Sequence, residues 1–420
     1  MQDCAGWLLV IFSFCVVLMW KHIRSDTKLV CAIWLCLVLH HFVTFLNAYV
    51  SPVIGAGADA LSFHKAAVEV SLLDNHMWNY ASFSNGDAVY TDCLGLFYRF
   101  IGSSIFSGAE LSVLAFVLSC VVLVKLVDLL DLRRFRVGII LLFGLLPSMA
   151  IFTSVTLRES WQALFFLLTI YWAIRLHKRP GILIVSFLLM SVICLSVLHA
   201  SLLCYAIYLI IISTYWGVLS RKKKVRWLWP VSFVFTGLLV ACAIVFAQKM
   251  GWYMSVEGAF ERAAMFRHAA ATIQGRTTYG IMLDTSSVLG LVKTIPTVFV
   301  YYMFAPFPWQ VKNVLDIHAL LESMLRFALL LSALFSWRRS SGEVRSYYSF
   351  LFIVVLGLEL VWALGTINWG TGMRHHVPGY GVIVLLGAPG LILFMRELHF
   401  KMFGRRKVSG ELNEQSPHMS

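Results

Sequence analysis

Two short polar stretches interrupt an apolar chain. Residues 157–160, LRES, place Arg158 beside Glu159 with almost no loop between two apolar runs. Residues 365–376, GTINWGTGMRHH, place Arg374, His375 and His376 in a glycine-rich turn between two more. An ionisable side chain at membrane depth is costly and usually lines a cavity. The arginine fork fits a phosphate or carboxylate with two parallel hydrogen bonds and keeps its charge near lipid. Either histidine can accept a proton near neutral pH. Glu159 can orient Arg158 or move a proton. Asn368 offers an amide, while Gly365, Gly370, Gly372 and Gly379 allow tight turns and close backbone approach. The blander alternative for this loop is a solvated turn with interfacial aromatics. Adjacent histidines supply only two metal ligands and no third is evident, so neither metal nor cofactor is expected.

Further basic residues lie away from the main positive blocks. Arg262, Arg267 and Arg276 fall in ERAAMFRHAAATIQGR (261–276), which has the pattern of an amphipathic surface helix. Glu257 and Glu261 would share a face if that helix begins earlier. Glu322 and Arg326, four apart, can pair along a helix, and Glu359 inside GLELVWAL needs a partner or a proton. Residues 304–310, FAPFPWQ, are stiffened by two prolines. Trp309 there suits an interfacial anchor, a seal on a lipid entrance or a stacking surface for sugar.

The elements that must position these residues are membrane helices. The chain has 420 residues, 60% hydrophobic and 13% charged, and its apolar runs approach the roughly 20 residues that cross a bilayer. Helices satisfy their own backbone in lipid, so an all-α polytopic protein is expected, not a barrel. The first run, WLLVIFSFCVVLMW, lacks a basic n-region and a small-x-small cleavage site, so it reads as the first span. The 9 cysteines show no metal or disulfide spacing.

The net charge of +13 sets topology here and does not imply a nucleic-acid partner. Six basic blocks hold 23 of the 34 lysines and arginines: 21–28, 125–136, 175–179, RKKKVR at 221–226, 338–345 and the tail from Arg396. With all six on the cytoplasmic side, the expected spans are 5–20, 29–48, 108–126, 137–156, 161–174, 181–198, 200–218, 228–247, 320–336, 347–365 and 380–396. Eleven spans, in a range of about 11–12, put the N-terminus outside and the C-terminus inside; a full span over 286–304 would invert everything after it, and a second hidden span near 94–107 would restore the parity. The run 181–218 must turn near His199. Segment 286–304 is expected to be re-entrant, interfacial or broken near Pro296. One transmembrane domain, 1–400, follows, with outer loops at 49–107, 248–319 and 366–379 and a disordered cytoplasmic tail, 401–420. Seven of the 11 remaining basic residues are arginine, the residue suited to anion contact.

These residues together resemble the bacterial integral-membrane polysaccharide polymerases of the O-antigen and exopolysaccharide type. The resemblance is carried by GADALSFHKAAVE (57–69), YTDCLGLFYRFIG (90–102), LRESWQ (157–162), GRTTYGIMLD (275–284), FAPFPWQVKN (304–313) and GTINWGTGMRHH (365–376). It covers most of residues 1–400, although LRES has glutamate where many relatives have aspartate. The resemblance implies a GT-C-like helical core in the bacterial inner membrane, with large extracytoplasmic loops and an active site facing the periplasm. It implies that oligosaccharide repeat units on undecaprenyl diphosphate are polymerised without a nucleotide sugar. A flippase and a chain-length regulator of the same pathway become expected partners. Arg158, Arg276 and Arg374, with Arg267 and Arg262, would bind diphosphate. His375, His376 or Glu159 would act as base. Asp59, His64, Trp309 and Asn368 would meet sugar or lipid.

Three other functions compete. A ligase that moves finished glycan from the same carrier needs nearly the same site. A transferase using a monosaccharide phospholipid would show paired acidic residues in the first outer loop, where Asp59 lacks a clear partner. A transporter would show repeated halves, discontinuous helices and mid-span charges; no repeated halves are evident and, apart from Glu359, the spans are nearly charge-free.

Overall fold

The computed structural model describes residues 3–73, 86–219, 265, 267, 277–284 and 287–401. Among these residues the regular structure is helical, apart from one isolated antiparallel bridge between Thr278 and Asn368. In chain order the helices are α1 (Cys4–Met19), α2 (Lys21–Arg24), α3 (Thr27–Tyr49), α4 (Gly57–Ser71), α5 (Gly86–Ile101), α6 (Ile105–Leu129), α7 (Arg136–Leu145) and α8 (Pro147–Phe152). They continue as α9 (Glu159–Lys178), α10 (Ile182–Ser196), α11 (Ala200–Leu219), α12 (Val288–Phe304), α13 (Val314–Arg339), α14 (Gly342–Gly365), α15 (Trp369–His375) and α16 (Val377–His399). Among the described residues, five helices (α3, α6, α13, α14 and α16) are long and apolar enough to cross a membrane. The chain is a polytopic helical membrane protein.

Polar caps set several helix starts. Asp26 accepts the Leu29 amide at 3.2 Å to open α3, and Ser104 accepts those of Phe106 and Ser107 to open α6. Asn313 and Asp316 form a reciprocal capping box on α13. Inside, α6 and α16 are buried along most of their length against α3, α7, α9 and α13. Outside, α1 exposes Trp7, Leu8, Ile11 and Phe12, and α13 exposes Phe327 and Phe335. Such surfaces face hydrocarbon at little cost and would be aggregation-prone in water. Ser13 on α1, His41 on α3 and Glu110 on α6 join the first helices, with Ser13 Oγ 2.9 Å from His41 Nε2 and His41 Nδ1 2.8 Å from Glu110.

Several sequence expectations change. The single span expected over 137–156 is two helices: α7 stops at Leu145, α8 begins at Pro147, and residues 153–158 leave the helix altogether. Proline at the first helical position lacks the N–H that would join the helix before it. The carbonyls and amides freed at this depth need partners. Thr44 donates to the Ser154 carbonyl at 2.9 Å and Ser112 to that of Leu157 at 3.3 Å. His40 bridges the Gly144 carbonyl at 3.0 Å and the Thr153 hydroxyl at 2.9 Å. Glu322 accepts the Ser148 amide at 2.9 Å.

The expected outer loop at 49–107 carries α4 and α5, which pack on each other. No span occupies 94–107, because α5 ends at Ile101 and Gly102 turns the chain at φ +96° before α6. Segment 286–304 contains a continuous helix, α12, that runs through Pro296 without a break. Residues 277–284 before it and its own last turn both pack on residues 366–376. Glu322 and Arg326 do not bond each other directly; both bond the Tyr380 hydroxyl, Arg326 Nη1 at 2.5 Å and Glu322 by a shorter contact. The turn expected near His199 falls between α10 and α11. The expected span 228–247, the amphipathic stretch 261–276 (apart from Met265 and Arg267) and the tail 402–420 lie outside the described residues.

Gly387 lets α16 lie against α13, since a Cβ there would fall on the Leu329 carbonyl. Valine at 387 should lower the detergent-solubilised melting temperature by the equivalent of about 1–3 kcal/mol of overpacking. Alanine at Gly181, where a Cβ meets nothing within 4 Å, should leave it unchanged.

Candidate functional site

The broken span delivers the first two site residues. Arg158 occupies the N-cap position of α9 and Glu159 opens the helix, a favourable place for a carboxylate. Both are buried, at 7% and 2% exposure. Across from them, Asn368 accepts the Thr371 amide at 2.7 Å and starts the short α15. The bridge to Thr278 fixes that start, with Tyr279 N to Ile367 O at 2.8 Å and Trp369 N to Thr277 O at 3.2 Å. Arg374 in the last turn of α15 then reaches α9.

Three segments of distant sequence meet at Arg374. Its Nε donates to Glu159 Oε1 at 2.5 Å, and its Nη1 donates to Asp59 Oδ2 by a shorter bond from the first turn of α4. Arg158 Nε lies 4.0 Å from the same Glu159 oxygen, and its guanidinium sits 5.6 Å from the Phe63 ring. Two guanidiniums therefore share two carboxylates. The carboxylates differ sharply in access: the Glu159 side chain is 2% exposed and that of Asp59 is 64% exposed. Burial lowers the Arg158 pKa to about 10 despite the opposing pull of Glu159. Burial also works against the charge on Arg374, but Glu159 and Asp59 outweigh it and raise its pKa. Both arginines remain cations at neutral pH.

The histidines line one side of this cluster. Trp362 stacks on His375 at 4.2 Å and meets the edge of His199 at 4.8 Å. The Thr366 hydroxyl donates to the Trp362 carbonyl, so His375 Nδ1, 2.7 Å from the same oxygen, is the donor. The neutral ring then carries its lone pair at Nε2. His375 is held well below the ordinary histidine pKa by burial and then by His199, Arg374 and Arg158. His199 falls to about 3 by burial and the same arginines. His376 is 1% exposed and also lowered well below its ordinary value, by burial and then Arg326. The Tyr302 carbonyl, 3.2 Å from its Nε2, can only accept, so Nε2 bears the proton. Nδ1, 2.6 Å from Glu359, then accepts from the carboxylic acid. Both His376 nitrogens are engaged inside the protein.

The remaining expected site residues are dispersed. Arg267 is fully buried, and its guanidinium donates to the carbonyls of Ala363 (3.0 Å), Thr366 (2.8 Å) and Ile281 (2.8 Å). It satisfies the free end of α14 and ties it to the strand-like residues before α12. These bonds are to backbone carbonyls, which is an anchoring role. Arg262 and Arg276 lie outside the described residues. His64 Nδ1 is 2.9 Å from the Tyr98 hydroxyl, one turn and a half along α4 from Asp59, with its pKa lowered by burial. Trp309 is 76% exposed and stacks on Phe307 at 4.9 Å. Sequence reasoning passed over Trp362 and Thr366, which orient His375, because an apolar span conceals a site-facing ring. Among the described residues no group of three or more His, Cys, Asp or Glu side chains could hold a metal ion.

Comparison with protein-family models, with curated proteins and with solved structures finds no match to this chain.

Two measurements test this geometry. Arg374→Ala strands the buried Glu159 carboxylate and should cost on the order of 3–5 kcal/mol in stability; the Arg374→Ala/Glu159→Ala double variant should recover much of it in a thermal-denaturation cycle. Histidines depressed in the fold take up protons first when unfolded, so their contribution is present above about pH 6.5 and lost as pH falls. The melting temperature of His199→Asn should therefore fall less steeply than wild type between pH 6.5 and 4.5.

Proposed function

We propose that this chain polymerises undecaprenyl-diphosphate-linked oligosaccharide repeat units at the periplasmic face of a bacterial inner membrane, with its N-terminus periplasmic and its C-terminus cytoplasmic. The observation that carries this reading is the convergence of Asp59, Arg158, Glu159 and Arg374, with Arg158 and Glu159 buried, from three separate segments. The basic block at 175–179 lies at the opposite end of α9 from this cluster, and those at 21–28, 133–136 and 338–345 lie at the far ends of helices that lead toward it, as the charge rule requires for a site facing out. The resemblance of the chain to polysaccharide polymerases supplies the substrate class.

Glycosyl transfer from a lipid diphosphate develops negative charge on the leaving group as the anomeric C–O bond breaks. Donors already aimed at that charge in a water-poor site lower the barrier. Arg158 and Arg374 meet this need because burial keeps them short of water and Glu159 fixes their direction. Arg374 lies near the outer ends of α9, α14 and α16, where a lipid-borne head group would arrive from the side while its sugar extends outward. His375, with its depressed pKa, stays uncharged and does not compete with the arginines. Arg267 holds the end of α14 and hence the start of the loop leading to Arg374. Trp309, exposed on its proline-stiffened segment, offers an apolar face at the rim for lipid or sugar.

A glycan-ladder experiment tests the function. The chromosomal gene is deleted and complemented with wild type, Arg158→Ala or Arg374→Ala at matched membrane levels. Surface polysaccharide and lipid-linked intermediates are then resolved side by side. Loss of the ladder with single repeat units on outward-facing lipid is the expected result, with each arginine variant reducing transfer about 10²–10³-fold. Finished polymer stranded on its carrier would identify a ligase instead, and single units held on the cytoplasmic face would identify a transporter.

A further inference from the structure

Among the described residues the cluster at Arg374 is electrically balanced, with two guanidiniums against two carboxylates. A diphosphate cannot simply add to it, because an anion brought beside Asp59 and Glu159 meets two like charges. One carboxylate has to leave. Resting on the reading above, we propose that Asp59 is the exchangeable ligand of Arg374, displaced by the lipid diphosphate of the donor and thereby freed to act as the catalytic base on the acceptor sugar hydroxyl.

The two carboxylates are not equivalent candidates for displacement. Glu159 is 2% exposed, sits at the start of α9 and holds Arg374 through Nε at 2.5 Å. Freeing it would leave a buried charge without a partner, which is strongly unfavourable. The Asp59 side chain is 64% exposed, so water solvates it as soon as it leaves Nη1. An ion pair with one partner in solvent is worth little net free energy and exchanges readily. Diphosphate carries more charge and more acceptor oxygens than one carboxylate and suits the arginine fork. Glu159 therefore stays as the fixed support and Asp59 is the occupant that yields.

Asp59 stands where such a movement is easy. It lies in the first turn of α4, after a non-helical stretch in which Gly55 turns at φ +85°. A Cβ on Gly55 would meet nothing within 4 Å, whereas one on Gly57 would fall on Pro52, so the helix start is held and the Asp59 side chain moves by rotating into solvent. The displaced carboxylate remains beside the diphosphate, on the solvent side, where an acceptor sugar must enter. Released from Arg374, its oxygens are free to take a proton from the acceptor hydroxyl. The other candidates are less suited: both His376 nitrogens are engaged, Glu159 remains bound to Arg374, and burial beside two arginines leaves the His375 ring a weak base.

The step balances. The acceptor hydroxyl gives its proton to an Asp59 oxygen, and its oxygen forms the new bond to the anomeric carbon of the donor. The bond from that carbon to the diphosphate oxygen breaks, and the electron pair leaves with the diphosphate, held by Arg374 and Arg158. Asp59 releases its proton to water and re-pairs with Arg374 as undecaprenyl diphosphate departs.

The test uses the full chain in nanodiscs, with undecaprenyl diphosphate binding measured by microscale thermophoresis and transfer measured on the glycan ladder. Asp59→Asn removes the competing charge and the base together. The expected result is binding at least several-fold tighter than wild type, with transfer reduced about 10²–10⁴-fold, and both moved back toward wild type in Asp59→Glu. Weaker or unchanged binding in Asp59→Asn would show that Asp59 only supports Arg374 and would overturn the exchange. Tighter binding with transfer retained would overturn its role as base. If wild type does not bind this lipid, or if Arg374→Ala binds it equally well, the diphosphate site itself is wrong and the proposal falls with it.

Discussion

The structure depends on how a stretch of non-helical backbone is satisfied inside the membrane region. The chain leaves its helix at Leu145, resumes for six residues and leaves again until Glu159. In hydrocarbon those freed amides and carbonyls would each cost several kcal/mol. His40 and Thr44 on α3, Ser112 on α6 and Glu322 on α13 meet them instead. A polar face on each of three neighbouring helices is thus committed to one broken segment. In return the segment can deliver Arg158 and Glu159, both buried, to the mouth of α9.

The same economy recurs on the opposite wall. Arg267 satisfies the end of α14, Asn368 starts α15, and the bridge between Thr278 and Asn368 joins them. Arg326, Tyr380 and Glu322 link α13 to α16, and Glu322 also reaches α8. One hydrogen-bonded network therefore runs from the broken span to the helix that follows Arg374. Rigid support of this kind holds a guanidinium in one place, as the proposed electrostatic role of Arg374 requires. Asp59, exposed and approached through a glycine turn, lies outside that network.

Arginine serves two different ends in this chain. Arg267 spends its donors on backbone carbonyls and is fully buried, so it anchors. Arg374 gives its donors to two carboxylates, Glu159 buried and Asp59 exposed, so one side of it is fixed and the other opens to solvent. Burial and partner chemistry separate the two, and neither quantity is visible in a residue letter.

The sequence alone determined that the chain is a helical membrane protein, because long apolar runs and clustered basic residues are one-dimensional signals. It also marked Arg158, Glu159 and Arg374 as unusual, since a charge between apolar runs stands out wherever it folds. The turn at His199 was legible for the same reason: 38 residues without lysine or arginine are too long for one span. Tertiary structure decided the rest. The break at Pro147 needed partners from α3, α6 and α13 before it could form, so periodicity read one span where there are two helices. Pro296 pointed to a break, yet packing carried α12 through it. Asp59 meets Arg374 across 315 positions of sequence, and only the folded chain brings a carboxylate from α4 to a guanidinium on α15.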